Sequence, residues 1–228
     1  MRQRLPDHGL EVFGSERTGM PFALSDIDFR LIHPDDVKEI PPAPLDTSTE
    51  YKPMLKDLWT LRHKVFSDKD RYNRPDVRVT RYPLLIVRDR ASGIDVQIVL
   101  SRNTASSREL MERYKTEWPY IRQLHAVVKA MFDQRGFTDV YHGGFGSYAI
   151  FMMIVASLQH HANRRQDAAG ALLNFLHYWA YFDTRAHGVS VSPPGYFDKN
   201  EHPVLTERIR AQIAVSIASG VALVTDGY

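Results

Sequence analysis

The chain has 228 residues, 43% apolar and 25% charged, the balance of a folded globular protein and not of a disordered one. Its 29 Lys and Arg against 27 Asp and Glu leave a net charge of +2, which excludes a protein that holds nucleic acid by bulk charge. No cysteine is present, and that excludes disulfides, thiolate zinc sites and thiol nucleophiles.

The first seven residues lack the apolar core of a signal peptide and leave no room for a long transit peptide, so an intracellular protein is expected. Leu10 to Phe13 reads as a strand closed by the turn Gly14-Ser15, and Asp26 to Ile32 reads as the next strand. Pro41 to Pro44 is a stiff surface connection. Met54, Leu55, Leu58, Leu61, Val65 and Phe66 recur at helical spacing and predict an amphipathic helix over 50–66. Val77 to Val87 and Ile94 to Leu100 are β-like runs, and Ala91-Ser92-Gly93 between them marks a hairpin turn. Beyond Ser101 the pattern is helical, with segments at 106–115, 118–134, 146–161, 168–181 and 205–224. The longest apolar run, Phe145 to Leu158, has 14 residues, short of the about 20 that cross a bilayer, and is a buried helix. These elements predict a small α+β domain over 1–102 and a helical domain over 103–228, and a cleft between two such domains is a usual place for an active site.

Asp26 and Asp28 lie two residues apart in a strand and therefore present their carboxylates on one face, while Ile27 and Phe29 turn to the core. Paired carboxylates repel unless a cation lies between them, and hard oxygen donors suit Mg²⁺. A third acid, Asp95, sits on another apolar strand. If the two strands are neighbours, three carboxylates converge and can hold two ions for phosphoryl or nucleotidyl transfer. Gly14 and Ser15 offer backbone N–H groups and a hydroxyl to a phosphate, without the Gly-Lys-Ser/Thr of a P-loop. Lys129 lies among Leu124, Val127, Val128 and Phe132, where its ammonium needs a cleft or an anion. Gly143-Gly144 breaks the chain before the apolar helix, placing Ser147 and Tyr148 in its first turn, where phosphate oxygens are favoured. Asn103 reads as a cap before Ser106. His160-His161 lacks helical spacing and an acid partner, so zinc is not expected.

Phe13-Gly-Ser-Glu-Arg-Thr-Gly-Met-Pro-Phe-Ala-Leu-Ser-Asp-Ile-Asp-Phe29 resembles the catalytic signature of the DNA-polymerase-β-like nucleotidyltransferases, in the branch of noncanonical poly(A) polymerases and terminal uridylyltransferases. Pro119 to Leu124 with Lys129 and Gly143 to Tyr148 form a second matching block. Gly170 to Tyr178, Gly188 to Val191 and Pro194 to Phe197 form a third, and the three occur in family order. The resemblance implies a nucleotidyltransferase palm (a mixed sheet with helices) over 1–102 and a helical poly(A)-polymerase-associated domain over 103–228. It implies transfer of a nucleotide, ATP rather than UTP, to an RNA 3′ end with Mg²⁺ or Mn²⁺, in the nucleus or cytoplasm rather than the mitochondrion. Asp26, Asp28 and Asp95 would be catalytic and metal-holding. Gly14, Ser15, Lys129 and Ser147 would contact phosphate, Tyr148 would stack on the base, and Asn103 would contact the ribose or base. The family's helix before the glycine turn and its nucleotide-recognition loop after Phe197 have no recognisable counterpart in the sequence. Their absence implies weak base selectivity and an apolar palm surface that favours self-association or a protein partner, with no membrane role.

Overall fold

Alternating apolar residues in the first part of the chain build a five-stranded sheet, and continuous apolar runs in the second build helices around one buried helix. The computed structural model describes residues 8–21, 25–32, 51–79, 83–99, 105–140, 143–160 and 167–201; Asn103, the 41–44 connection and the 205–224 segment lie outside the described residues. The chain divides into two compact units, Met1–Glu112 and Arg113–Tyr228.

In the first unit the sheet order is β1 (Gly9–Phe13), β2 (Ile27–Ile32), β5 (Asp95–Val99), β4 (Leu84–Asp89), β3 (Tyr72–Arg78). Only β2 and β5 run parallel; the other neighbours are antiparallel, so the sheet is mixed. The tight connection from β4 to β5 forms as expected. Gly93 takes φ +71°, and the Asp89 carboxylate accepts from the Ser92 N–H at 2.9 Å and the Ser92 hydroxyl at 2.8 Å. The expected single run over 77–87 is instead the end of β3 and the start of β4. Pro83, which has no N–H to give a ladder, stands immediately before β4.

The helix α2 (Tyr51–Phe66) carries Pro53 in its first turn, where a missing N–H is tolerated. It lays Leu58 and Leu61 on Leu31, Leu85 and Val87, with Val65, Tyr72, Val77 and Ile98 packed around them. This covered face fixes the other one. Because alternate residues share a face, Asp28, Asp95, Gln97 and Arg88 all lie on the side away from α2.

The second unit is organised by α5 (Ser147–Gln159), in which every residue from Ile150 to Leu158 is buried. Packed on it are α4 (Ile121–Asp133) and α6 (Ala168–Tyr181); α3 (Ala105–Glu117), which precedes them, contains the boundary between the units. Asp167 caps α6 by accepting from the Gly170 N–H at 2.7 Å. A hairpin of β6 (His187–Val191) and β7 (Pro194–Asp198), not expected as strands, is tied in by long-range bonds. The Tyr114 hydroxyl and Gln159 Nε2 both donate to the Val191 carbonyl, at 2.6 and 3.1 Å. Among the described residues no helix is long and apolar enough to cross a membrane.

Candidate active site

The chain leaves β1 at Phe13, which stands opposite Asp28 on β2. Gly14 follows at φ +62°, a conformation side chains other than glycine's adopt only with strain, and opens the five-residue helix α1 (Gly14–Thr18) where a plain turn was expected. A Cβ at Gly14 would overlap the Asp28 carboxylate, with Asp28 Cγ at 2.9 Å and Asp28 Cβ at 3.0 Å. Glycine is thus what lets backbone approach this acid directly. Ser15 follows, partly buried, with its carbonyl accepting from the Met20 N–H at 2.9 Å. Gly14→Ala is expected to lower stability by about 1–2 kcal/mol from the positive φ and to displace Asp28. A thermal melt beside an ATP-binding titration checks both effects; unchanged ATP affinity would separate Asp28 from nucleotide binding.

Parallel pairing sets Ile27 level with Val96 and Asp28 level with Gln97; extended by one residue, it sets Asp26 level with Asp95. All three acids therefore share the face. Their groups do not converge as expected. Arg88, directly opposite Asp95 across the hairpin, donates to both its oxygens, Nε to Oδ1 and Nη2 to Oδ2, each at 2.7 Å. This bidentate hydrogen bonding holds the Asp95 carboxyl below the usual carboxylate range, with the charge of Arg88 adding to it. Gln97 was not anticipated. Its side-chain amide Nε2 donates a hydrogen bond to the Asp26 carboxylate. Among the described residues no group of three or more His, Cys, Asp or Glu is placed to hold a metal ion. Asp26 and Asp28 offer hard oxygens side by side, a donor set that fits one divalent ion with the remaining positions left to phosphate and water. Asp95, committed to Arg88, does not complete a second site in this arrangement.

The same face continues beyond Asp95 into an open cleft of about 640 Å³, lined by Asn73, Pro75, Asp76, Arg78, Ile86, Arg88 and Asp95. Its mixed charge, two Arg against two Asp, agrees with the near-neutral chain: any anion here meets placed guanidinium groups and not a basic surface.

In the second unit the glycine break before α5 has a steric cause. A Cβ on Gly144 would lie 2.7 Å from the Asp139 carbonyl oxygen and 2.8 Å from its nitrogen. The Gly144 and Phe145 N–H groups donate to the carbonyls of Asp139 and Phe137, both at 2.7 Å, so the start of α5 is fixed. Ser147 and Tyr148 occupy its first turn, partly buried, as does Lys129 on α4. His125, one turn before Lys129, links the two helices: its Nε2–H donates to the Ser147 carbonyl at 3.1 Å. Burial pushes the His125 imidazole down to about 4; the Ser147 bond acts against this and the charge of Lys129 adds to it. His125 was not singled out from the sequence; its spacing of four from Lys129 was the available signal.

Because the folded ring titrates near 4 and a free one near 6.5, the neutral ring's contribution is complete above about pH 6.5 and is lost as pH falls toward 4. The difference is worth about 3 kcal/mol. Denaturant unfolding at pH 7 and pH 4.5 is expected to show this loss in the wild type and a flatter profile in His125→Leu. Equal slopes would remove His125 as the source.

No family model matches the chain. Poly(A) RNA polymerase cid14 of Schizosaccharomyces pombe is 27% identical to it, over 87% of this chain and 29% of that protein. The Drosophila melanogaster protein named inactive non-canonical poly(A) RNA polymerase protein Trf4-2 is 29% identical, over 83% of this chain and 46% of that protein. The chain spans less than half the length of these curated relatives. Among solved structures, mtPAP in complex with GTP has a TM-score of 0.72 at 17% identity, covering 87% of this chain and 52% of that one. Terminal uridylyl transferase 4 from Trypanosoma brucei with bound UTP and UMP has a TM-score of 0.68 at 23% identity, covering 88% and 71%. The polymerase core of TRAMP, an RNA surveillance complex, has a TM-score of 0.65 at 22% identity, covering 87% and 61%. These structural likenesses establish a shared fold.

Proposed function

We propose, for a chain whose homologues are non-canonical poly(A) RNA polymerases, that it transfers a nucleoside monophosphate from ATP to an RNA 3′ end without a template. The observation that carries this reading is the acidic pair itself: Asp26 immediately before β2 and Asp28 on it, with the backbone at Gly14 pressed against Asp28. In the reaction the RNA 3′-hydroxyl oxygen attacks the α-phosphorus, the bond to the bridging oxygen breaks, and pyrophosphate leaves. The hydroxyl proton passes to a carboxylate of the acidic face. A divalent ion, Mg²⁺ or Mn²⁺, held by Asp26 and Asp28 would neutralise charge on the triphosphate.

The roles that the resemblance implies for Gly14, Ser15, Lys129 and Ser147 toward phosphate, and for Tyr148 toward the base, belong to the same proposal. Asn103 keeps the contact with ribose or base that the resemblance implies. Tyr148→Ala is expected to weaken ATP binding by about 1–3 kcal/mol, the usual worth of an aromatic–base stack. A titration with a fluorescent ATP analogue measures this; unchanged binding with a lowered melting temperature would make Tyr148 a packing residue. A protein partner fits the reading as well, since structural neighbours include the TRAMP polymerase core and the GLD-2/RNP-8 complex.

A second reading, a noncatalytic homologue serving as a binding subunit, is favoured by the Arg88–Asp95 pairing, which ties up the third carboxylate. Incubation with Mg²⁺, each labelled nucleoside triphosphate and an oligoribonucleotide decides between the two. Extension by ATP is expected. Binding of ATP without extension by any nucleotide would select the second reading.

A further inference from the structure

On the side of the sheet away from the acidic pair, the outer face of α2 carries a ladder of rings and cations. Trp59 and Phe66 are 41% and 49% exposed, and the Arg62 guanidinium lies over both rings, 5.3 and 5.9 Å from their centroids. In the turn into β3, Lys69 Nζ lies 4.7 Å from the Phe66 centroid, and the Arg71 guanidinium 5.2 Å from that of Tyr72. The Arg90 backbone N–H donates to the Arg71 carbonyl at 2.9 Å, which brings a further guanidinium alongside. Between positions 62 and 74 five Lys and Arg stand against two Asp, a net of +3 in a chain whose total is +2. The rest of the chain is therefore net −1, and the positive charge is concentrated on this segment.

The ladder is joined to the acidic side of the sheet around the edge strand β3. Arg62 Nε donates to the Pro75 carbonyl at 3.3 Å, and Arg90 Nη2 to Asn73 Oδ1 at 3.4 Å. Pro75 and Asn73 also line the cleft that reaches Asp95. A nucleic-acid strand leaving that cleft would meet exposed rings and cations in alternation. Such a surface holds single strands without reading their sequence, because every base has a face to stack and every phosphate a charge.

We propose that α2 and the turn after it form a track for single-stranded RNA, which holds the body of an RNA whose 3′ end lies at the acidic face. The inference rests on the RNA-directed transferase reading for its substrate and extends it, since the track supplies affinity and not chemistry. Bases stack on Trp59 and Phe66, while Lys69, Arg71 and Arg90 meet phosphates.

The test is binding of the full chain to a fluorescein-labelled, mixed-sequence oligoribonucleotide of about 16 nucleotides, read by anisotropy without metal or nucleoside triphosphate. The wild type is expected to bind, and Phe66→Ala to bind at least about fivefold more weakly, the lower bound for one base–aromatic stack. Lys69→Gln combined with Arg71→Gln should lower the slope of log K against log salt by about 1.4, about 0.7 for each phosphate contact on a single strand. A packing role would leave that slope where it was. Should Phe66→Ala melt far below the wild type, Trp59→Ala removes the ring at the other end of the ladder and is read in the same way. Absence of binding by the wild type, or wild-type affinity and slope in these variants, overturns the proposal. Displacement by polyglutamate as effective as by unlabelled RNA would assign the face to an acidic protein segment and overturn it too. Loss of the transferase reading has a different signature: RNA bound on the track and not extended when Mg²⁺ and ATP are added.

Discussion

Asp28→Asn will abolish Mg²⁺-dependent binding of ATP and lower extension of an RNA 3′ end by at least about a thousandfold, equivalent to about 4 kcal/mol of transition-state stabilisation. The fold will survive the change. Asp26, immediately before β2, and Asp28, on it, are like charges two residues apart, so removing one relieves their mutual repulsion. The amide at position 28 keeps nearly the volume that Gly14 packs against. A thermal melt without metal should therefore hold or rise while ATP affinity collapses. Retained extension in Asp28→Asn would remove this acid from the chemistry, and a melt that falls steeply would show it to be structural.

The largest loss of stability is expected in the second unit, at Phe151. Its ring is fully buried in α5, with its centroid 6.3 Å from that of His125. Phe151→Ala removes a buried aromatic side chain and leaves a cavity, which costs about 3–5 kcal/mol. A melting temperature lower by roughly 10 °C or more follows for a unit of this size. The same substitution takes away a wall beside the His125–Ser147 bond, so ATP affinity should fall with it. Stability lost at unchanged affinity at low temperature would show that the start of α5 is held by its loop alone.

The sequence made some of this legible and not the rest, for physical reasons that differ from element to element. Helix α6 was expected over 168–181 and spans those residues, because Asp167 caps it locally. The β4–β5 turn was likewise written in three adjacent residues. Strand β3 was missed in part because Tyr72-Asn-Arg-Pro-Asp-Val-Arg78 has weak strand character; it holds as an edge strand with a shifted register between Asn73 and Asp76. The β6–β7 hairpin reads as loop from Gly188, Pro194 and Gly195, and it is held by Tyr114 and Gln159, far away in sequence. At the candidate site, Asp26, Asp28 and Gly14 were readable because the period of a strand puts the acids together and the turn needs glycine. Gln97 was not, since a single amide within an apolar strand carries no local signal until strand register sets it beside Asp28. The Arg88–Asp95 pair needed the same knowledge of register across the hairpin.

The one parallel pairing of the sheet, β2 with β5, also sets a timetable. The hydrogen bond from Gln97 to Asp26 closes a separation of 71 residues, whereas β4 and β5 meet across a short turn. Closing a long loop costs entropy before any contact returns it, so hairpins form early and such pairings late. As the chain leaves the ribosome, Asp26 and Asp28 emerge well before the strand that will flank them. Until β5 arrives they are ordinary solvated aspartates, and the acidic face comes into being with the last cooperative step of palm folding.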